Sequence, residues 1–222
     1  MSLGLLKKYK TFIFDCDGVL LNSNSLKIDA FYHAALPFGK KIAEEFVDYH
    51  VTHGGISRFA KFKYFQRTIL GRPVNIGLQN KLLAFYSAEV RKGLCDCEIA
   101  NGLERLREIT HDSRWLVVSG GEQFELRDVF AIRKIDYLFD AGIYGSPDDK
   151  DTIIQREISC GNIIRPAIYF GDTKYDMEVA KRSGLGFVFV SKWSDCSFSN
   201  SEINNLFSIP LLSDLLQDVL EK

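Results

Sequence analysis

Two carboxylates lie two residues apart, directly after a short apolar run near the start of the chain. The run Thr11–Phe14 is followed by Asp15, Cys16, Asp17 and Gly18. An apolar run of this length bounded by glycine predicts a buried strand, and open α/β sheets bind their ligands at the carboxyl ends of strands. Two carboxylates there can bind a hard divalent cation, or one can attack an electrophile while the other transfers protons. Taken alone, the segment fits a polar turn equally well.

Three later segments carry further polar groups, and they strengthen the interpretation of a site. They are residues 116–121, 145–150 and 167–176. Together with the first segment, the chain offers Asp-x-Asp, Ser, Lys and Gly-Asp-x-x-x-Asp in that order. All but the lysine directly follow strand-like runs, and parallel strands bring such ends to one edge of a sheet. The order and the shared position therefore indicate one site.

This set of motifs resembles that of the haloacid dehalogenase-like superfamily of phosphohydrolases, over residues 9–192. In that family the first Asp is the nucleophile and the second is the general acid and base. The Ser and Lys hold the transferring phosphoryl group, and the last acidic pair completes a Mg²⁺ site. Carried over to this chain, the catalytic residues are Asp15, Asp17, Ser119 and Lys150, and the metal residues are Asp15, Asp17, Asp172 and Asp176.

The implied roles suit phosphoryl transfer, which depends on positioning and charge neutralisation. Asp15 is expected to be ionised at neutral pH and to attack phosphorus, while Asp17 protonates the leaving oxygen and then activates water. Lys150 would neutralise Asp15 and the phosphoryl oxygens. Ser119 and the backbone N–H of Gly120 would donate hydrogen bonds to those oxygens, which makes Gly120 a predicted substrate-binding residue.

The same resemblance implies Mg²⁺ as the cofactor, because a carboxylate approaching a phosphate dianion needs a cation between them. Asp15 and Asp172 are expected to bind the ion directly, together with the backbone carbonyl of Asp17. Asp176 lies one helical turn past Asp172 on the same helix face. We expect it to orient the ligands rather than to bind the ion directly.

Strand and helix patterns alternate in most of the chain, which predicts a parallel sheet covered by helices on both faces. The predicted strands are residues 11–15, 115–118, 141–144, 167–170 and 186–190, and the helices between the later ones are residues 102–110, 122–132, 150–159 and 173–183. Residues 24–97 instead show four helical patterns and no convincing strand, at residues 25–36, 42–49, 56–70 and 77–92. Their position matches the helical cap that many relatives insert after the first motif.

We therefore predict the α/β class, with a three-layer α/β/α Rossmann-like parallel-sheet core and an inserted α-helical cap. Residues 1–22 and 99–222 would form the core, and residues 23–98 the cap. Within the cap, residues 55–58 (Gly-Ile-Ser-Arg) resemble a loop of the phosphoglycolate phosphatase and beta-phosphoglucomutase group. The resemblance implies that Arg58 binds the substrate, and the alternative is a solvated surface arginine. Lys27 is expected to be a surface lysine.

Composition agrees with an ordinary globular enzyme that acts on a small phosphorylated substrate. The 222 residues are 46% hydrophobic and 26% charged, and the formal net charge is −1. This balance favours neither nucleic-acid nor membrane binding. Five cysteines at scattered positions fit reduced thiols in the cytoplasm. We expect a monomer or a small homo-oligomer.

Three functions remain open from the sequence. The first is a Mg²⁺-dependent phosphatase for a small metabolite, with sugar phosphates among the candidates, acting through an aspartyl phosphate. The second is a phosphomutase of the same fold. Such mutases tend to carry a histidine near the position of Lys27, so the lysine favours hydrolysis. The third is a catalytically silent binding or regulatory protein, against which the intact motif residues argue.

Overall fold

Six parallel strands form one sheet in the computed structural model, which describes residues 3–196, 198 and 206–216. The strand order is β3-β2-β1-β4-β5-β6, so the first strand lies near the middle of the sheet. The strands are β1 (Thr11–Phe14), β2 (Arg114–Glu122), β3 (Ile143–Ser146), β4 (Ala167–Gly171), β5 (Gly186–Val190) and β6 (Ser208–Ile209). Connections between parallel strands need crossovers, and helices supply those that link β1 to β5.

Helices follow most strands, as the alternating pattern predicted. Those outside the inserted region are α1 (Leu3–Leu6), α6 (Leu103–Ile109), α7 (Gln123–Ile132), α8 (Lys150–Ser159) and α9 (Lys174–Arg182). Residues of α6 and α7 pack on one face of the sheet, and residues of α8 and α9 pack on the other. The predicted three-layer α/β/α architecture is therefore confirmed.

Strand β1 is buried on both faces, as expected of a central parallel strand. Phe12 and Phe14 point to one face, where both rings lie within 6.5 Å of the rings of Trp115 and Phe170. Ile13 points to the opposite face and belongs to a separate apolar cluster. Alternating large apolar side chains thus fix the register of β1, and with it the place where the strand ends.

Four α-helices are described in the inserted region: α2 (Asn24–Ala35), α3 (Lys40–Thr52), α4 (Arg58–Tyr64) and α5 (Ile76–Asp96). The pattern at residues 56–70 predicted one helix, but α4 passes into a π-helical turn at Phe65–Ile69. Aromatic side chains from all four helices meet in the centre, with Phe31 within 5.5 Å of the rings of Phe46, Phe62 and Tyr86. The assignment of residues 23–98 to a separate cap stays a prediction.

The sixth strand was not predicted, because two residues are too few to show a periodic pattern. Ser208–Ile209 pairs with β5, and Ile209 is buried against the main apolar cluster. Among the described residues, no helix is both long enough and apolar enough to cross a membrane.

Candidate active site

The sheet brings the predicted acidic residues together at its carboxyl edge. Strand β1 lies between β2 and β4, so Asp15 and Asp172 directly follow adjacent strands, while Ser119 lies within the last four residues of β2. The backbone N–H of Asp15 donates to Phe170 O at 2.9 Å, which continues the β1–β4 pairing by one residue. Carboxylate oxygens of Asp15, Asp172 and Asp176 all lie within 4.8 Å of one another. Three of the four predicted metal residues are therefore neighbours in space, and the carboxylate of Asp17 is not part of this group.

Gly18 makes room for this cluster. Its φ of +74° lies in the left-handed region that glycine adopts readily. A Cβ on Gly18 would overlap the Asp172 carboxylate and lie 2.7 Å from Asn24 Nδ2. Asn24 itself donates to Asp172 Oδ2 at 2.8 Å. The glycine after the second carboxylate thus lets the loop pass close against Asp172.

Burial is the largest influence on the pKa values of Asp15 and Asp172. It raises the pKa of Asp15 to about 7, although the charge of Lys150 opposes the shift. Burial, reinforced by the charges of Asp15 and Asp176, also raises the pKa of Asp172 well above its usual value. The expectation that Asp15 is ionised at neutral pH therefore requires additional positive charge in the site.

A divalent cation fits this need. Oδ1 of Asp15 and Oδ1 of Asp172 are both buried and accept no hydrogen bond from any described residue. Lys150 Nζ lies 2.9 Å from Asp15 Oδ1, but as an ion-pair contact without hydrogen-bond geometry. Two buried carboxylate oxygens, one without any donor and the other contacted only by Lys150, are suitable ligands for a hard cation. The residues present are thus compatible with the implied Mg²⁺.

Asp176 differs from the other two because both of its carboxylate oxygens accept hydrogen bonds. Oδ1 accepts from Lys150 Nζ at 2.5 Å and from Tyr169 Oη at 3.1 Å. Oδ2 accepts from the hydroxyl of Thr173 at 2.6 Å and from its N–H at 3.2 Å, in a capping box at the start of α9. The carboxylate therefore holds Lys150 toward Asp15. This arrangement supports an orienting role.

The structure corrects one expectation about the cap, because Lys27 is not a surface lysine. Its side chain is 10% exposed, and its ammonium forms an ion pair with Asp17 Oδ2. Ser23 Oγ donates to the other oxygen of Asp17 at 2.6 Å. Burial alone would raise the pKa of Asp17, but the charge of Lys27 and these hydrogen bonds outweigh it and lower the pKa. Lys27 on α2 and Ser23 just before that helix thus favour the ionised form of Asp17.

The predicted Ser-Gly-Gly segment lies just before the last residue of β2. Ser119 is fully buried, and its Oγ accepts a hydrogen bond from the N–H of Gly121 at 3.0 Å. Gly120 and Gly121 line the cleft. A Cβ on Gly120 would overlap the carbonyl oxygen of Gly55, so the loop before α4 packs directly on this segment. Only glycine permits that approach.

Arg58 lines the cleft, but its guanidinium is held by an ion pair with Glu125 on α7. Its guanidinium pairs with both carboxylate oxygens of Glu125 on α7, donates to Ser87 Oγ at 2.8 Å and stacks 4.6 Å from the ring centre of Tyr86. The side chain is 3% exposed. The alternative of a solvated surface arginine is therefore wrong, while the prediction that Arg58 binds substrate stays a prediction.

A cleft of about 530 Å³ lies between the inserted helices and this edge of the sheet. Its lining from the sheet side includes Asp15, Asp17, Gly120, Gly121 and Asp172, and from the helical side Lys27, Phe31, His50, Arg58, Lys61 and Tyr86. Sequence reasoning missed Ser23, Asn24, Tyr169, Thr173 and Glu125 as neighbours of the catalytic candidates. The four-residue spacing of Ser23 and Lys27, directly after Asp17, was the one available signal.

Comparison with solved structures shows a common fold. The structure resembles a predicted phosphatase from Clostridium acetobutylicum with a TM-score of 0.73 and 19% identity, covering 96% of this chain and 99% of that one. A predicted phosphoglycolate phosphatase from Haemophilus somnus gives a TM-score of 0.71 at 14% identity, covering 96% of this chain and 98% of the other. A beta-phosphoglucomutase from Clostridium difficile gives 0.69 at 14% identity, with 96% of each chain covered.

Among curated protein sequences, none is significantly similar to this chain. Residues 12–190 match the family described as haloacid dehalogenase-like hydrolase, which spans every motif discussed above. The chain therefore belongs to the haloacid dehalogenase-like hydrolase family.

Proposed function

We propose that this protein is a Mg²⁺-dependent phosphatase that hydrolyses a small phosphorylated metabolite, with sugar phosphates among the candidates. The observation that carries the proposal is the pair of buried Oδ1 atoms, on Asp15 and Asp172, that accept no hydrogen bond beside the ammonium of Lys150. A nucleophilic carboxylate can approach a phosphate dianion only where positive charge lies close by. The ammonium of Lys150 supplies one such charge, and a divalent cation bound by the two oxygens would supply the other. The family match and the likeness to proteins named as phosphatases also support it.

The first half-reaction transfers the phosphoryl group to the protein. An oxygen of Asp15 forms a bond to phosphorus while the bond to the leaving alcohol oxygen breaks, and Asp17 gives that oxygen its proton. A bound Mg²⁺, held by Asp15, Asp172 and the backbone carbonyl of Asp17, would neutralise charge on the phosphoryl oxygens. Lys150, held by Asp176, supplies a second positive charge at the same place.

The second half-reaction hydrolyses the aspartyl phosphate. Asp17 takes a proton from water, whose oxygen attacks phosphorus, releases inorganic phosphate and restores Asp15. The ion pair with Lys27 favours the ionised form of Asp17 that this step needs. The acid step needs the protonated form, and the negative charge of an arriving phosphate raises the pKa of Asp17 toward it. Ser119 and the N–H of Gly120 would hold phosphoryl oxygens throughout.

Hydrolysis is favoured over the mutase alternative by the position of Lys27. Mutases of this fold tend to carry a histidine near this position of the first inserted helix, and here a lysine paired with Asp17 occupies it. A silent binding protein has no physical need for buried carboxylates that repel each other, as Asp15 and Asp172 do. We further propose a cytoplasmic location and a monomeric or small homo-oligomeric state.

A hydrolysis screen tests the function. The purified protein is incubated with a panel of phosphorylated metabolites and p-nitrophenyl phosphate, with Mg²⁺ or with EDTA, and released phosphate is measured. We expect Mg²⁺-dependent release from at least one phosphomonoester. Phosphate release unchanged by exhaustive EDTA treatment would contradict the metal scheme, and no release from any ester would contradict the function.

Replacing Lys27 by methionine should change the pH dependence of turnover. The substitution leaves the burial of Asp17 uncompensated, so the pKa of Asp17 should rise instead of lying below its usual value. Hydrolysis of the intermediate requires ionised Asp17, so the acidic limb of the kcat profile should move to higher pH. The measurement is kcat against pH for both proteins, with the exposed Lys63→Met as control. An unshifted limb would show that Lys27 does not tune Asp17.

Arg58→Ala and Glu125→Gln should separate two roles of the guanidinium. Both variants break the ion pair between α4 and α7, so both should raise KM on all substrates through poorer closure of the cleft. If Arg58 also binds the substrate, Arg58→Ala alone should add a loss of roughly 1.5–3 kcal/mol on the natural substrate relative to p-nitrophenyl phosphate. Equal losses in the two variants on both esters would limit Arg58 to the ion pair.

A further inference from the structure

Among the described residues, four lysine and arginine side chains are buried in or beside the cleft, and one of them differs from the other three in its partners. Lys150 contacts Asp15 and Asp176, Lys27 pairs with Asp17, and Arg58 pairs with Glu125. Lys61 on α4 is equally buried, at 2% exposure, and also lines the cleft. Within the described part of the chain, no carboxylate lies at ion-pair distance from its ammonium.

The contacts of Lys61 are neutral. Its Nζ lies 2.5 Å from His50 Nδ1 and 3.3 Å from the carbonyl oxygen of His50, and 5.5 Å from the ring centre of Phe31. Burial, together with the charges of Lys61 and Lys27, holds the pKa of His50 well below its usual value, so His50 is a neutral acceptor. An ammonium has three donors, and His50 takes two of them. The third donor remains for a ligand, and among the described residues no counter-ion neutralises the charge.

A buried cation without a counter-ion is costly unless a ligand supplies the negative charge. We propose that Lys61 binds a second anionic group of the substrate, a carboxylate or a second phosphate, at the end away from the reacting phosphoryl group. This inference rests on the proposed phosphatase function and narrows its substrate class. His50 acts as the residue that positions the ammonium, because it holds Nζ through both its ring and its carbonyl group.

The charge of the surroundings agrees with this assignment. Burial lowers the pKa of Lys61 to about 7, and the nearby charges of Lys27 and Lys150 add to the shift while Asp17 opposes it. Near neutral pH, the side chain of Lys61 is therefore charged in only part of the molecules. An anion bound beside it would favour the charged form and gain a charge-assisted hydrogen bond.

The test compares matched phosphomonoesters that differ in one anionic group. Ethyl phosphate is paired with phosphoglycolate for a carboxylate, and glucose 6-phosphate with glucose 1,6-bisphosphate for a second phosphate. We expect kcat/KM of the wild type to favour the doubly anionic member of one pair by about tenfold or more. Lys61→Met should reduce that ratio to about threefold or less, while Lys63→Met, at an exposed position on the same helix, should retain it.

The outcomes are decisive in both directions. A wild type without preference in either pair, or a Lys61→Met variant that keeps the preference, overturns the inference while leaving the phosphatase function in place. Failure to hydrolyse any ester instead contradicts the proposed function. Calorimetric binding of the same pairs to Asp15→Asn, with and without Lys61→Met, then decides the inference without turnover: tighter binding of the doubly anionic member must depend on Lys61.

Stability gives a readout that needs no substrate. In the unfolded chain a lysine keeps a pKa near its usual value, so below pH 7 the folded protein bears the full cost of the buried charge. As the pH rises from about 7 toward about 10, deprotonation in the folded state relieves that cost. Lys61→Met should therefore melt at a higher temperature than wild type at pH 6, with a gain that shrinks by pH 10. No gain at pH 6 would show that the charge is already compensated.

Discussion

Replacing Asp15 by asparagine should abolish turnover while leaving the fold intact. The substitution removes the attacking charge with almost no change in shape, and β1 holds the side chain at the centre of the site. Loss of a nucleophile costs several kcal/mol of activation barrier, so we expect less than about a hundredth of the wild-type rate. The measurement is kcat with Mg²⁺ on p-nitrophenyl phosphate and on the best substrate of the screen.

Two controls separate loss of chemistry from loss of structure. Asp29→Asn makes the same change at an exposed position of α2 and should retain activity. Beryllofluoride, which mimics an acyl phosphate, should bind the wild type and not Asp15→Asn. A variant with more than about a hundredth of the wild-type rate would reject Asp15 as the nucleophile.

The raised pKa of Asp15 adds a thermodynamic test of the same residue. Because its folded-state pKa of about 7 exceeds the unfolded value, the stability that Asp15 contributes is complete below about pH 4 and is lost as the pH rises through 7. The melting temperature of the metal-free wild type should fall between pH 5 and pH 8, and that of Asp15→Asn should fall less. Added Mg²⁺ should raise the melting temperature of the wild type at pH 8 again.

Replacing Asp172 by alanine should remove activity through loss of Mg²⁺ affinity. Its Oδ1 is buried without a hydrogen-bond donor, and its pKa is raised by burial and by Asp15 and Asp176. The ionised carboxylate therefore destabilises the metal-free fold, whereas a bound cation would stabilise it. We expect the Mg²⁺ concentration for half-maximal rate to rise at least tenfold, and the melting temperature in EDTA not to fall.

Asp176→Ala provides the contrast for Asp172→Ala. Asp176 accepts hydrogen bonds from Lys150, Tyr169 and Thr173, and its removal leaves the buried ammonium of Lys150 with fewer partners. Breaking a buried ion pair typically costs about 3–5 kcal/mol, so this variant should melt well below wild type. Its Mg²⁺ requirement should change less than that of Asp172→Ala. The opposite ranking, with Asp176 dominating metal affinity, would make Asp176 a direct ligand.

The catalytic edge of the sheet was predictable because its residues lie at the ends of apolar runs. Apolar runs such as Thr11–Phe14 are recognisable from the sequence, and each ends at a polar residue. Parallel pairing then requires those ends to meet, whatever the details of packing. Asp15, Ser119 and Asp172 could therefore be placed together before any coordinates were known. Lys150 followed from the resemblance, since it begins α8 rather than ending a strand.

The bounds of the elements were less predictable where the sequence pattern is weak. Strand β2 extends through both glycines to Glu122, and β6 has only two residues. Pairing with a neighbouring strand supplies the hydrogen bonds that define such segments, and no local pattern reports it. The same holds for the π-helical turn Phe65–Ile69, which interrupts an otherwise continuous helical pattern.

The sequence by itself determined which residues end the central strands, and hence the acidic cluster, its glycine turn and the family. Only the tertiary structure decided which cations in the cleft are neutralised. Lys27, Arg58 and Lys61 look alike as charged residues of the inserted helices, yet two of them meet carboxylates and the third meets His50. The physical reason is that a charge becomes functional through its burial and its partners. Both depend on how the inserted helices pack against the sheet.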